Sequence, residues 1–530
     1  MLIIILQLKY LVKITVFDII DCVMSSQNQK IGNLISQIRQ ERSLTQAEFA
    51  KRLGTSQSAV NRMEQGKQNL SLETISRIST ALGRDIVSIN SGTKNLGFEI
   101  EGGHELSGEI TMKSSKNAAV AILAASLLND GTTYLKNVPR IEEVFRLIEV
   151  LESIGVHVKW VKNVDLEIKP PKTLRLEDIN KESAKKTRSI IMFMGALIHK
   201  KSKFSLPYAG GCHLGKRTIA AHQYALEQFG LKIETIESSY NVTVGKLEPA
   251  DITMYEMGDT ATENALIAAA LTPGKTIIRF AASNYMVQDL CVFLNAMGVK
   301  ITGIGTSTLV IEGAKNINKR VVYSPAEDPL ESMLFMTVAT LTNSAITLKR
   351  CPIDFLRLEI LKLEKMGLKF TISPTYKAAN GFTSLVDITT HKHKQLVALD
   401  DKIHPLPYPG INIDNLPFFV PIAAMADGET LIHDWVFEDR ALYFTELNKL
   451  GARVRLLDPH RVMVDGPTKF KPAEVICPPA LRPATIILAA MLAAPGKSIL
   501  RNVYSINRGY ESLAERLREL GAKINTLQEL

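Results

Sequence analysis

No CxxC pair occurs in this 530-residue sequence, and no histidine stands at zinc-finger spacing from a cysteine. The five cysteines, Cys22, Cys212, Cys291, Cys351 and Cys477, are odd in number and far apart. That pattern argues against a disulfide framework and points to a reducing cytoplasm. The ten histidines form no ligand cluster, and His391 and His393 sit in a Lys-rich stretch that reads as an exposed loop, so no metal is expected. A membrane-spanning run is missing as well. The apolar first 23 residues are interrupted by Lys9, Lys13, Asp18 and Asp21, and no small-residue cleavage site follows them. Residues 1–29 are therefore set apart as an extension, either an upstream over-read of the start codon before Met24 or a disordered or strand-like lead.

What is present reads as folded and globular: 46% apolar and 22% charged residues, in a chain long enough for about three domains. A net charge of +9 suits anionic partners, phosphorylated metabolites or nucleic acid, without choosing between them.

From Ile31 to Ile86 the pattern is helical and densely punctuated. Thr45-Gln46-Ala47-Glu48 is a capping box, after which Phe49, Ala50 and Leu53 share a face and Gly54 ends the helix. A second helix starts at Thr55 or Ser56, with Ala59, Val60 and Met63 inward and Gln57, Ser58, Asn61 and Arg62 outward. Gly66, Leu72, Ile75, Ile78 and Leu82 belong to the later helices of this module, and a linker at Asn90 to Asn95 follows it. Two short helices around a Gly turn resemble the repressor-type helix-turn-helix. That resemblance implies double-stranded DNA as a partner of residues 30–90, with Gln57, Ser58, Asn61 and Arg62 reading bases and Gln46 touching phosphate. The other readings are a bundle that docks on protein, or a relic.

The rest of the chain repeats itself. Leu-x-x-x-Gly followed by alternating apolar residues occurs at Leu151/Gly155, Leu226/Gly230, Leu294/Gly298, Leu363/Gly367, Leu447/Gly451 and Leu517/Gly521. Each Leu lies in the last buried turn of an amphipathic helix, the Gly stops it, and a strand begins. Upstream of most copies runs a more apolar helix, such as Ala118 to Leu128, Ala265 to Leu271 or Thr485 to Ala493. Glycines about 70 residues apart fit a β-α-β-α-β-β unit and are too widely and unevenly spaced for a solenoid.

Three motifs carry chemistry. Ser114-Ser115-Lys116-Asn117 would put a cation at a helix N-terminus, where anions are favoured. In Gly210-Gly211-Cys212-His213-Leu214-Gly215-Lys216-Arg217, a cysteine between glycine turns and beside two cations is placed to be exposed and acidic. Arg188, Arg440, Arg482 and Arg508 fall in register with the repeats.

Six units in two groups of three, with these motifs, resemble the enolpyruvyl transferases over residues 97 to 530, in the branch that takes UDP-N-acetylglucosamine. The resemblance implies a two-domain inside-out α/β barrel. One domain would be 97–115 with 323–530, the other 116–322 with the cysteine loop. It implies transfer of the enolpyruvyl group of phosphoenolpyruvate to the 3-hydroxyl of UDP-N-acetylglucosamine, with phosphate release and no cofactor, as the first committed step toward peptidoglycan precursors. Cys212 would be the general acid and fosfomycin target, Lys116 would contact phosphoenolpyruvate, and Asp414 would take the hydroxyl proton. Asn117, Arg188, Arg217, Asp328, Glu331, Val436, Arg440, Arg482 and Arg508 would bind substrate, and the resemblance makes the arginines in register with the repeats cations for a doubly anionic substrate. Thr218 and Ala220 stand where the family has Pro and Asp near the nucleotide, Ala480 replaces an acidic residue, and the loop from Glu256 to Thr262 differs. A regulator that senses a nucleotide sugar is therefore the alternative. The shikimate branch is disfavoured because it lacks the cysteine loop.

Overall fold

The computed structural model describes residues 44–68, 96–208, 218–236 and 239–528, with Gly32, Ile35, Ser36, Arg39, Thr74 and Ile78. The N-terminal extension, Leu72, Ile75 and Leu82, the linker at 90–95, and the loop with Cys212 and Arg217 lie outside the described residues. Two compact units, 1–93 and 94–530, make up the chain. Among the described residues no helix is long and apolar enough to cross a membrane.

In the smaller unit the capping box forms as the residue types dictate. Thr45 Oγ1 accepts from Glu48 N at 3.2 Å while Thr45 N donates to Glu48 Oε2 at 2.8 Å, opening the helix Gln46–Leu53. Gly54, at φ 68°, ends it, and Ser56 caps Gln57–Glu64. Phe49, Leu53, Val60 and Met63 pack with Ile35 and Ile78. Under them Arg39 Nε meets Glu64 Oε1 at 2.5 Å, and Gln46 Nε2 donates to Glu64 Oε2 at 2.8 Å. Gln57, Ser58, Asn61 and Arg62 are exposed.

Among the described residues the larger unit contains six small sheets. Residues 251–313 show the repeat whole. Asp251–Thr253 lies parallel to Gly274–Arg279, which pairs antiparallel with Thr308–Gly313, and that strand pairs antiparallel with Lys300–Thr302. Parallel neighbours need a crossover, here the helix Asp259–Ala270, and a second helix, Tyr285–Met297, leads to the hairpin. All six repeat glycines are left-handed, with φ of 92°, 92°, 102°, 104°, 88° and 94° at Gly155, Gly230, Gly298, Gly367, Gly451 and Gly521. After five of them the next amide reaches back to the carbonyl of the repeat leucine, as Val299 N does to Leu294 O at 3.1 Å. This closure satisfies the last carbonyls of the helix and redirects the chain into a strand.

First helices of the units are buried all round, as apolar-all-round helices must be. Every residue of Pro329–Leu341 is buried, and so are all residues from Ala118 to Ala125 in Lys116–Ala125. Second helices such as Glu142–Ser153 bury one face, Val144, Leu147, Ile148 and Leu151. Two cores result: one gathers residues from Ala118 to Leu330, the other residues from Phe98 to Met112 and from Met333 to Ile524. The architecture is the two-lobed inside-out α/β fold, with three sheets around each core.

The lobes exchange strands. Ser107–Thr111 pairs parallel with Ala345–Pro352 of one lobe before the chain enters the other, and Val321–Tyr323 pairs parallel with Thr133–Leu135 before the chain returns. The two crossings touch in an isolated bridge between Ser114 and Glu327, reinforced by Ser115 N to Ala326 O and Asp328 N to Lys113 O, both 2.8 Å. A helix starts just beyond each crossing, one at Lys116 and one at Pro329.

Candidate active site

Because each crossing ends at a helix N-terminus, Lys116, Asn117 and Asp328 are placed by the topology itself. Ser115 caps the first helix, its Oγ accepting from Ala118 N at 3.2 Å. Lys116 Nζ reaches Glu143 Oε2 at 2.8 Å. Glu143 also accepts from Thr187 Oγ1 at 3.1 Å and Ser189 Oγ at 2.8 Å. Burial opposes its charge, but Lys116, with Arg508 and Ser189 assisting, outweighs it and brings the carboxyl down to about 2. Asn117 Nδ2 donates to the buried Tyr285 hydroxyl at 3.0 Å.

In the opposite lobe Asp414 is held on three sides. Its Oδ2 faces Arg482 Nη2 at 3.3 Å, its Oδ1 faces Arg440 Nη1 at 3.5 Å, and its amide donates to Asn412 Oδ1 at 2.8 Å. Burial works against this carboxylate, yet Arg482, Arg440 and Lys116 together hold it below the usual range. Lys116 belongs to the other lobe, so the two halves of the site share one field. Arg440 is itself buried, bound to Asp434 Oδ2 at 2.5 Å and to the Ile413 carbonyl at 2.7 Å. It fixes the segment that carries Asp414. Arg482 donates to the Tyr510 hydroxyl at 2.5 Å.

Asp328 caps its own helix through Leu330 N at 2.8 Å. Burial pushes it up to about 6, with Arg482 opposing and Glu331 adding to the shift. Glu331 is occupied by Arg516 and by Lys113 N at 2.6 Å, which makes it a strut of the crossing. Arg508 Nε is buried with no acceptor among the described residues, and its charge reaches Glu143.

Two adjoining clefts open beside this cluster. One, of about 460 Å³, is lined by Arg188, Thr218, Ala220, His222, Val436 and Phe437. The other, of about 430 Å³, has Phe280, Phe355, Leu406, Tyr408 and Trp435 in its wall. Tyr255 to Asp259, Ile413 and Val436 line both. Arg188 Nη2 donates to the Thr218 carbonyl at 2.8 Å. Ala480 begins the helix Leu481–Ala493 with no side-chain cap and brings no carboxylate to Arg482. Cys291, Cys351 and Cys477 are buried free thiols, and burial raises the last two to about 12 and about 11.

Sequence reasoning did not find Glu143, Tyr285, Asp434 or Tyr510. Glu142-Glu143 opens a helix and has the look of ordinary dipole-complementing acids. Tyr285 opens an apolar helix and has the pattern of core packing.

Residues 100–517 match the family described as EPSP synthase (3-phosphoshikimate 1-carboxyvinyltransferase), and residues 35–89 match the family described as Helix-turn-helix. A UDP-N-acetylglucosamine 1-carboxyvinyltransferase from Treponema denticola is 36% identical over 434 residues, covering 81% of this chain and 98% of its own. The enzyme of the same name from Bradyrhizobium diazoefficiens is 34% identical over 438 residues, covering 82% and 98%. Among solved structures, the enolpyruvyl transferase NikO from Streptomyces tendae superposes with a TM-score of 0.71 at 24% identity, covering 82% of this chain and all of its own. With its fold, its paired lobes and four-fifths of its length shared in this way, the chain belongs to the enolpyruvyl (1-carboxyvinyl) transferase family.

Proposed function

We propose that this chain transfers the enolpyruvyl group of phosphoenolpyruvate to the 3-hydroxyl of UDP-N-acetylglucosamine, releasing phosphate. The observation that carries the reading is the Asp414 carboxylate, fixed between Arg482 and Arg440 and within the field of Lys116 from the facing lobe. The relatives that share four-fifths of this chain carry the name of that activity.

Lys116, Arg482 and Arg508 supply cations for the carboxylate and phosphate of phosphoenolpyruvate. A proton from the Cys212 thiol goes to the methylene carbon, the acceptor hydroxyl adds to the neighbouring enol carbon, and the hydroxyl proton passes to Asp414. Held below the usual carboxylate range, Asp414 is a weak base at rest. It takes the proton only as the hydroxyl becomes acidic during bond formation. The tetrahedral ketal then returns a methyl proton to the Cys212 thiolate and expels phosphate, giving the enolpyruvyl ether. Arg188 and Val436 line the cleft assigned to the acceptor, and the family resemblance gives Arg217 to its diphosphate. Asn117 orients its sugar, and Asp328, near the midpoint of its titration at pH 6, supplies a carboxylate in the field of Arg482, where Ala480 brings none. Glu331 and Arg440 act by holding other residues in place.

The test is phosphate release by the purified full chain given phosphoenolpyruvate with UDP-N-acetylglucosamine, compared with shikimate 3-phosphate. Release with the amino-sugar nucleotide alone is expected. No release with it, or release only with shikimate 3-phosphate, overturns the assignment. A second reading, that residues 30–90 bind double-stranded DNA, is favoured by the exposed polar face of Gln57–Glu64 and by the helix-turn-helix match.

A further inference from the structure

The 430 Å³ cleft has the size of a small-molecule site, and the proposed reaction gives it no occupant. Its wall is aromatic and aliphatic. Phe280, Leu406 and Trp435 are each close to half exposed there, and Tyr255 is 68% exposed. Phe355 packs against Tyr408 with the rings tilted by 49° and their centroids 5.1 Å apart, and meets Tyr285 edge-on at 5.8 Å, so an aromatic chain runs from this wall to the partner of Asn117.

Polar groups are present too; apart from the exposed Glu256, on the segment shared with the Arg188 cleft, most of them bond to one another. Asn284 donates to Asp259 and accepts from Asn412 at 3.2 Å. Glu359 accepts from Asn412 N and Asn415 Nδ2, and Asp354 is paired with Arg357. Trp435 Nε1 donates to the Pro405 carbonyl at 2.8 Å. A sugar ring would need such groups to turn toward it, and a phosphate would need an uncommitted cation. The surface left over suits an uncharged apolar group.

Position narrows the choice. The cleft ends at Asn412 and Ile413, immediately before Asp414, and shares Val436 and the Tyr255 to Asp259 segment with the Arg188 cleft. With the reacting hydroxyl at Asp414, a group that enters the cleft comes from one of the two carbons flanking that hydroxyl. In a 2-acylamino sugar nucleotide one of them bears the amide and the other only a hydroxyl. We propose that this cleft is a subsite for the N-acyl chain of the acceptor and takes chains longer than acetyl. The proposal rests on the transferase reading above and refines its acceptor.

The experiment measures phosphate release from phosphoenolpyruvate with UDP-glucosamine carrying acetyl, butanoyl or hexanoyl on nitrogen. Each methylene that enters an apolar cavity is expected to raise kcat/KM roughly three- to fourfold. Leu406→Trp, which fills the mouth of the cleft, is expected to reverse the hexanoyl-to-acetyl ratio. A flat or falling series with acetyl still turned over overturns the subsite and leaves the transferase reading standing. If no acceptor is turned over, binding decides. Trp160 and Trp435 are the only tryptophans in the sequence, so a Trp160→Phe chain reports from the cleft alone. Titration of its fluorescence with the same three nucleotides upholds the subsite if affinity tightens with chain length. It overturns the subsite if affinity does not change.

Discussion

The Tyr285 hydroxyl, buried near the crossing of the lobes, accepts a hydrogen bond from Asn117 Nδ2 at 3.0 Å. Burial keeps this phenol neutral, with the negative charge of Asp328 adding to the effect. One amide proton of Asn117 is thereby fixed, while its Oδ1 accepts from no group among the described residues. Tyr285→Phe removes the acceptor and keeps the ring contact with Phe355. KM for the amino-sugar nucleotide should rise about three- to tenfold, the equivalent of one lost hydrogen bond. KM for phosphoenolpyruvate and the thermal midpoint should scarcely move. An unchanged acceptor KM in steady-state kinetics would remove Tyr285 from the site.

Glu143, depressed to about 2, gives a pH signature of one sign. A group whose folded pKa lies below its unfolded value stabilises the fold above the unfolded value, near 4.5, and loses that contribution as pH falls toward 2. In Glu143→Gln the part of the acid destabilisation that falls between those limits should shrink, seen as a flatter curve of unfolding midpoint against pH. Activity at neutral pH should fall as well, since Lys116 would lose the carboxylate that positions it.

Asp259 has the opposite sign. Burial pushes it up to about 6, the Asn284 amide opposing and the Asp414 charge assisting. Stability from its protonated form is present below the unfolded value of 3.8 and is lost as pH rises through about 6. Asp259→Asn retains an acceptor for Asn284 and never ionises. It should stabilise the chain by about 1–3 kcal/mol at pH 8 and by almost nothing at pH 4. Equal midpoints for variant and parent at pH 8 in a denaturant titration would contradict the burial of this carboxylate.

Gly521 separates backbone from packing. Its φ is 94°, and a Cβ built there meets no atom within 4 Å. Gly521→Ala should therefore cost about 1–2 kcal/mol through left-handed strain alone, read from a urea unfolding midpoint. The same substitution at Gly230, where a Cβ falls 2.5 Å from the Lys246 carbonyl oxygen, should cost distinctly more.

These glycines explain why the fold was legible. A left-handed helix stop needs Gly, the helix before it needs a buried Leu, and the strand after it needs alternation, so each repeat leaves three marks in sequence. Lys116, Asp414 and Arg482 were legible through motif and resemblance. Glu143 and Tyr285 were not, because acids in a first turn and an aromatic at an apolar helix start look the same whether or not a site faces them. The partner of Tyr285 lies 168 residues away, and only the packing of the helix Lys116–Ala125 against Tyr285–Met297 within one core brings the two together.

The smaller unit separates its residues into two jobs. Gln46 and Glu64 are tied to each other and to Arg39 beneath the surface, whereas Gln57, Ser58, Asn61 and Arg62 stand free of the core on one helix. Residues on that face can reach base edges or phosphates without any loss of packing. The full chain should bind random double-stranded DNA in fluorescence anisotropy, with affinity falling steeply between about 50 and 200 mM salt. Arg62→Ala should weaken that binding and flatten its salt dependence by about one unit of slope if Arg62 meets a phosphate, or relax the preference at one base pair if it meets a base. Either change should leave phosphate release untouched. Binding that ignores both salt and Arg62 would assign this helix to a protein partner instead.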